Sequence, residues 1–260
     1  MHSQSSTPPG TQTLRRGLDV VAAVARGATD LRAVCERTGI SRSTTHRLLQ
    51  LLVQEGYLRR GAESTYLLGP ALIEYGFLAL QQNPVPLVAR PVLERLSGRF
   101  QDTVHLAIRD HDEVLYLDKI ASLRGAETRS RIGYRMPLTT TGIGKSLILD
   151  EQEDAWERLF AADRRDGGAG EERSLDRFLE AMRRYRRLGA TMDLEENEPG
   201  IRCVAAPIRD GSSSGVAAVS ISATRPYMPM ERMRALVPVL REAAEEISGL
   251  LGYPATGPRA

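Results

Sequence analysis

Cysteine is nearly absent from the chain. Cys35 and Cys203 are the only two in 260 residues, far apart and without C-x-x-C spacing. That excludes a disulfide framework and a cysteine-built structural zinc site, and leaves two small apolar side chains. Long apolar runs are missing too. No stretch approaches the ~18 residues that would cross a bilayer. The first residues, MHSQSSTPPG, carry neither the basic nor the apolar segment of a secretory signal, so a cytoplasmic protein without a membrane partner is expected. Aromatic residues make up only 5%, but 42% hydrophobic and 26% charged residues are ordinary globular usage, which argues against disorder and fibrous repeats. Lysine is scarce as well, with only Lys119 and Lys145, so arginine carries the basic charge.

That charge is unevenly placed. Residues 14–60 hold nine arginines against four acids, a surplus of five in a chain whose total is +2. A basic front on a neutral-to-acidic remainder is the outline of a nucleic-acid-binding domain joined to another module. Residues 1–12 are rich in Ser, Thr, Pro and Gly and are expected to be a disordered tail. From Leu14 a helical period follows, with Leu14, Leu18, Val21, Val24 and Ala25 on one face, ended by Gly27. Asp30 heads a second helix that Gly39 stops, and Ser41 heads a third, Arg42 to about Glu55, with Leu48, Leu51 and Leu52 expected inward. Two short strand-like runs, Tyr57–Arg60 and Thr65–Leu68, flank a polar turn. Three helices and a hairpin make a winged helix-turn-helix over 13–69.

The turn between the second and third helices carries the DNA argument. Ala33 is small where two helices cross, Gly39 permits the tight turn, and Ile40 plugs its underside. Ser41, Arg42, Ser43, Thr44, His46 and Arg47 then occupy the end of the helix that enters a major groove. Arginine can bond guanine through two donors, and Ser, Thr or His can reach base edges or phosphates. Arg59 and Arg60 at the wing base, and Arg15 and Arg16 at the start of the first helix, suit phosphates. Thr45 stands where an apolar residue would be ordinary, its methyl serving instead.

Residues 70–86 read as an apolar linker helix ending in a hinge, Asn83-Pro84-Val85-Pro86. Over 87–253 helices and strands mix. Val88–Phe100, Gly142–Leu149, Glu151–Phe160, Leu175–Leu188 and Pro229–Leu251 read as helices. Thr103–Arg109, Glu113–Ile120, Ile201–Ile208 and Gly215–Ser222 read as strands, and 163–173 as a charged, glycine-rich loop. This is an α+β domain with an antiparallel sheet. Gly142-Ile-Gly-Lys-Ser146 looks like the end of a nucleotide-binding P-loop, but the pattern G-x-x-x-x-G-K-S/T needs glycine where Thr139 stands. What survives is the physics: the turn Thr141-Gly142-Ile143 opens a helix and presents backbone N–H groups that favour an anion. Ser220 and Ser222, two apart on a strand, point their hydroxyls to one side. With the loop amides they form a donor set for a carboxylate, while Asp193 can accept from a ligand hydroxyl and repels a second carboxylate. His105 and His111, in a strand and a turn, lack ligand spacing. With no nucleophile–base pair and no metal cluster, catalytic residues, cofactors and metal ions are not expected, and a C-terminal enzyme is the disfavoured alternative.

The same segments resemble the isocitrate-lyase-regulator (IclR) family of bacterial transcription factors, over roughly residues 11–253. Ser41–Leu52 is similar to its recognition helix, Arg135-Met-Pro-Leu-Thr-Thr-Thr-Gly-Ile-Gly-Lys-Ser146 to its anion-binding loop, and Asp193–Ile208 and Val216–Ser222 to two further stretches. The resemblance implies a GAF-like effector domain that binds a small organic acid through Gly142, Ile143, Asp193, Cys203, Ser220 and Ser222. Thr139-Thr140 replaces the frequent His-Ala. It further implies a homodimer on a palindromic operator in double-stranded DNA, with room for a dimer of dimers, and regulation of a catabolic operon. Leu115-Tyr-Leu-Asp-Lys-Ile120 is similar to members that govern sugar-acid catabolism, and aromatic acids stay open. A monocarboxylate bearing hydroxyl or keto groups is the effector that the residues favour.

Overall fold

A computed structural model describes Pro8 and residues 10–122, 130–165 and 174–254. Most of the expected tail 1–12, and most of the loop 163–173, lie outside the described residues. Contacts divide the chain into two units that meet in sequence at Asn83 and Pro84.

The first unit runs α1 (Gln12–Ala25), α2 (Leu31–Thr38), α3 (Arg42–Gln54), β1 (Leu58–Arg60), β2 (Tyr66–Leu68) and α4 (Pro70–Gln81). Gln12 already belongs to α1, inside the span expected to be a tail. Asp30 caps α2 by accepting from Ala33 N–H at 2.8 Å, and Gly39 ends it in the left-handed region at φ 66°, where glycine carries no side-chain penalty. β1 and β2 pair antiparallel, Leu58 with Leu68 and Arg60 with Tyr66. The core gathers Val20, Ala23, Val24, Val34, Leu48, Leu49, Leu58 and Tyr66. The inward faces of α3 and α1 differ from those expected. Leu51 is 51% exposed, and Leu49, fully buried, is the inward anchor of α3 with Leu48. The inward stripe is Thr45, Leu48, Leu49 and Leu52, spaced i, i+3, i+4, i+7, so Leu51 falls off it. Leu14 and Leu18 are likewise exposed, and α1 buries Val20, Ala23 and Val24 instead. Thr45 is buried and its hydroxyl donates to the Ile40 carbonyl at 3.3 Å, so the polar group is satisfied beneath the turn. No side chain of α4 is buried within the unit.

The second unit runs α5 (Pro84–Phe100), β3 (Thr103–Asp110), β4 (Glu113–Ile120), β5 (Arg135–Pro137), α6 (Gly142–Leu147), α7 (Glu153–Arg165), α8 (Leu175–Leu188), β6 (Thr191–Leu194), β7 (Ile201–Arg209), β8 (Gly215–Thr224) and α9 (Met230–Leu250). Pro84, Val85 and Pro86 of the expected hinge lie in the first turn of α5. The amides of a first helical turn lack intrahelical partners anyway, so proline is tolerated there. The strands form one antiparallel sheet in the order β5-β4-β3-β8-β7-β6. β5 and β6, three and four residues long, are the two edges, and neither was expected. α5 and α9 pack on one another and on the sheet, while α6 lies along β6, β7 and β8.

Candidate functional site

Nine of the ten residues expected at DNA are exposed, and Thr44 is half-buried. Ser41 does not cap α3 through its side chain; its hydroxyl donates to Thr44 Oγ1 at 3.0 Å. An open cleft of about 650 Å³ separates the start of α1, with Arg15 and Arg16, from the start of α3, with Ser41 and Thr44. Arg60 packs its guanidinium 5.4 Å from the Tyr66 ring centre, which orients it on the hairpin. The burial of Leu48 and Leu49 leaves Arg42, Ser43, His46 and Arg47 on the outward face of α3, so this end can enter a groove.

In the second unit the sheet register assembles the other cluster. Asp193 lies opposite Cys203, Cys203 opposite Ser222, and Ser220 opposite His105. Directly paired residues share a sheet face, so these side chains form adjoining rows. The first turn of α6 lies over them. A Cβ on Gly142 would stand 3.0 Å from Cys203 Sγ and 3.4 Å from Asp193 N, so that close approach of helix to sheet needs glycine. Thr141, Gly142, Ile143, Asp193, Cys203, Ser220 and Ser222 line one cavity of about 40 Å³. Its other walls are His105, Tyr116, Ser130, Met136, Asn197, Glu198 and Ile201.

Each polar group has a distinct state. The Thr141 hydroxyl accepts from Gly144 N–H at 3.0 Å and donates to the Pro137 carbonyl at 2.9 Å, so it caps α6 and is not offered to a ligand. The Ser222 hydroxyl is buried with no hydrogen-bond partner among the described residues, an orphan that a bound polar group would satisfy. Burial pushes the Asp193 carboxyl up to about 6, against the opposing pull of Lys145 and the Glu196 amide, which donates to Asp193 Oδ1 at 2.8 Å. Burial, with Asp193 beside it, pushes the Cys203 thiol up to about 12, so it is a wall and not a thiolate nucleophile. Burial, then Lys119, pushes His105 down to about 3, leaving a neutral ring 2.7 Å from Ser130 Oγ. Lys145, buried on α6, places Nζ 2.5 Å from Glu196 Oε1. It is engaged in an ion pair and not presented to a phosphate, in keeping with the incomplete P-loop pattern.

The domain profile described as "Bacterial transcriptional regulator IclR C-terminal" matches residues 77–249, and the IclR helix-turn-helix domain matches residues 13–62. The chain belongs to the IclR family. Among IclR relatives, the HTH-type transcriptional regulator XynR of Escherichia coli K12 is 32% identical over 251 residues, 95% of this chain and 100% of that protein. KdgR of the same strain is 33% identical over 226 residues, 84% of each chain. An IclR homologue from Microbacterium hydrocarbonoxydans, solved in complex with 4-hydroxybenzoate, superposes with a TM-score of 0.78 at 25% identity, covering 92% of this chain and 98% of that one. IclR proteins are DNA-binding transcriptional regulators and not enzymes.

Seven cavity residues escaped the sequence: His105, Tyr116, Ser130, Met136, Asn197, Glu198 and Ile201. His105 read as an ordinary strand histidine, since its place opposite Ser220 exists only once β3 pairs with β8. Tyr116 is turned to the cavity by a bulge. Leu106 pairs with Asp118 but Ala107 with Tyr116, so β4 carries one extra residue that reverses its alternation. Asn197 and Glu198 come from the connection between β6 and β7, which no local pattern in the sequence distinguishes, and Ile201 opens β7. His111 sits in the β3–β4 turn, away from the cavity. No group of three or more metal-ligating side chains occurs among the described residues.

Proposed function

We propose that the protein is a cytoplasmic, effector-responsive regulator of a catabolic operon. Its α3 reads a palindromic operator as part of a homodimer, and its effector is a small organic acid carrying hydroxyl or keto groups. The observation that carries the effector reading is the convergence of seven residues from four separate segments on one cavity holding the orphaned Ser222 hydroxyl. Buried polar groups are almost always satisfied, so an unsatisfied one inside a cavity favours a polar ligand. Ser220, Ser222 and the amides of Gly142 and Ile143 would face the carboxylate, and Asp193 a hydroxyl. The 4-hydroxybenzoate complex of the Microbacterium homologue supports an aromatic acid, and the similarity to KdgR and XynR supports a helix-turn-helix transcriptional regulator.

The dimer reading rests on α1 and α4. Leu14 and Leu18 on α1, and Ile73, Phe77 and Leu80 on α4, are exposed apolar side chains that a second copy would cover. Two-fold pairing then sets two copies of α3 on successive half-sites. The test is fluorescence anisotropy on a labelled duplex from the intergenic region beside the gene, with a thermal-shift screen of small acids. An acid that raises the melting temperature is expected to change operator affinity or occupancy. A stabilising acid that leaves affinity, DNA geometry and transcription unchanged refutes the proposal.

A further inference from the structure

We infer that this cavity binds its acid together with one proton, held on Asp193 against the incoming carboxylate, and so selects acids with a single carboxylate. The inference rests on the effector reading above and adds its charge chemistry. Among the described residues no lysine or arginine lines the cavity, while two carboxylates, Asp193 and Glu198, do. Titratable and charged groups face Asp193 from each neighbouring element. From α6 comes Lys145, already paired with Glu196 at 2.5 Å. From β7 comes Cys203, an un-ionised thiol. From β3 comes His105, a neutral ring, and from β4 comes Tyr116, whose phenol is held protonated by burial. From the β6–β7 connection come the Glu196 amide, which bonds Oδ1, the Asn197 amide and the Glu196 carboxylate, with Glu198 elsewhere on the cavity wall. Lys119 donates to the Ser130 carbonyl.

A carboxylate placed here meets hydroxyls and amides but no free cation among the described residues. Beside an ionised Asp193 it would be a second buried anion. Two adjacent carboxyl groups in one site share a single proton, because both cannot remain charged. The proton comes from solvent and joins an Asp193 carboxylate oxygen, so complex formation consumes one ligand anion and one hydrogen ion. The protonated group becomes a donor to the ligand, and the orphaned Ser222 hydroxyl supplies another. Asp193 is already poised for this, since burial holds its carboxyl near 6, within reach of neutral solution. Among the described residues a second carboxylate on the ligand would find no lining cation to offset its burial.

Isothermal titration calorimetry on the full chain tests this with a fixed panel: pyruvate, D-gluconate and 4-hydroxybenzoate, each beside its uncharged amide, and succinate as the dicarboxylate. At pH 7.5, in two buffers of different ionisation enthalpy, the binding acids should take up close to one proton per site, and the amides none. Between pH 7 and 8 the affinity for the acid should fall about tenfold, the slope for one linked proton. Asp193→Asn should still bind, with the pH dependence gone, and succinate should bind neither form well. Acid binding without proton uptake and at constant affinity over that range overturns the inference and leaves the effector reading standing. A pH dependence that survives in Asp193→Asn overturns it too. No binding of any acid from pH 5.5 to 8.5 removes the effector reading and this inference together.

Discussion

Replacing Asp193 with asparagine should stabilise the second unit, by an amount set by pH. The carboxyl is 4% exposed, and burial raises it from 3.8 to about 6. Because its folded value lies above its unfolded value, the folded chain holds the proton more tightly. The sign is therefore a penalty: as pH rises from 3.8 through 6, ionising Asp193 works against folding. That rise corresponds to about 3 kcal/mol at pH 7.5, shrinking to about 0.5 kcal/mol near pH 4, where the folded carboxyl is protonated and the unfolded one is near its own midpoint. Lys145 already moderates the rise, so its attraction needs no separate allowance. Asparagine Oδ1 can keep the bond from Glu196 N–H, now at 2.8 Å, so the variant removes the charge and little else. The assay is urea unfolding followed by tryptophan fluorescence. Trp156 is the only tryptophan, buried in the core of the second unit with Nε1–H donating to the Ile148 carbonyl, so the signal reports that unit alone. A variant no more stable than the parent at pH 7.5, or a gain that persists undiminished at pH 4, would show that ionised Asp193 carries no folding penalty.

Leu49→Ala should cost about 2–4 kcal/mol in the first unit, while Leu51→Ala stays within about 0.5 kcal/mol, read by circular dichroism in denaturant; equal effects would contradict the burial assignment. His105 is neutral and buried, pushed from 6.5 down to about 3, so stability should fall as pH drops from 6.5 towards 3, and His105→Gln should flatten that limb in an acid titration. Gly144→Ala would set a Cβ 2.5 Å from the Leu138 carbonyl and 2.5 Å from Thr141 Oγ1, so it should disrupt the α6 cap, destabilise by more than about 2 kcal/mol and abolish acid-induced thermal shifts.

Much of this architecture was legible because it rests on local chemistry. Asp30, Gly39 and Gly56 punctuate helices by capping and positive φ, and those signals are written in single residues. The paired hydroxyls of Ser220 and Ser222 follow from strand alternation. What escaped depends on partners distant in sequence. Leu48, Leu49, Leu51 and Leu52 offer two overlapping inward stripes, and only packing against α1 and α2 selects the one containing Leu49. Thr191–Leu194 is too short to announce a strand, and its pairing with β7 is what brings Asp193 to Cys203. His105 and Tyr116 joined the cavity through a non-local pairing and a bulge, neither of which leaves a periodic trace. Pro84 and Pro86 look like a break, yet at the head of a helix they are compatible with it.

The proposed regulatory role depends on the exposed end of α3 gripping duplex DNA. It is tested most directly by anisotropy titrations of the intergenic duplex with the parent chain, Arg42→Ala and Arg47→Ala at one fixed salt concentration. Each substitution should weaken specific binding, by about 1–3 kcal/mol where the arginine reads a base, with both variants retaining the parent's thermal stability. Parent-like operator affinity in both folded variants would contradict it.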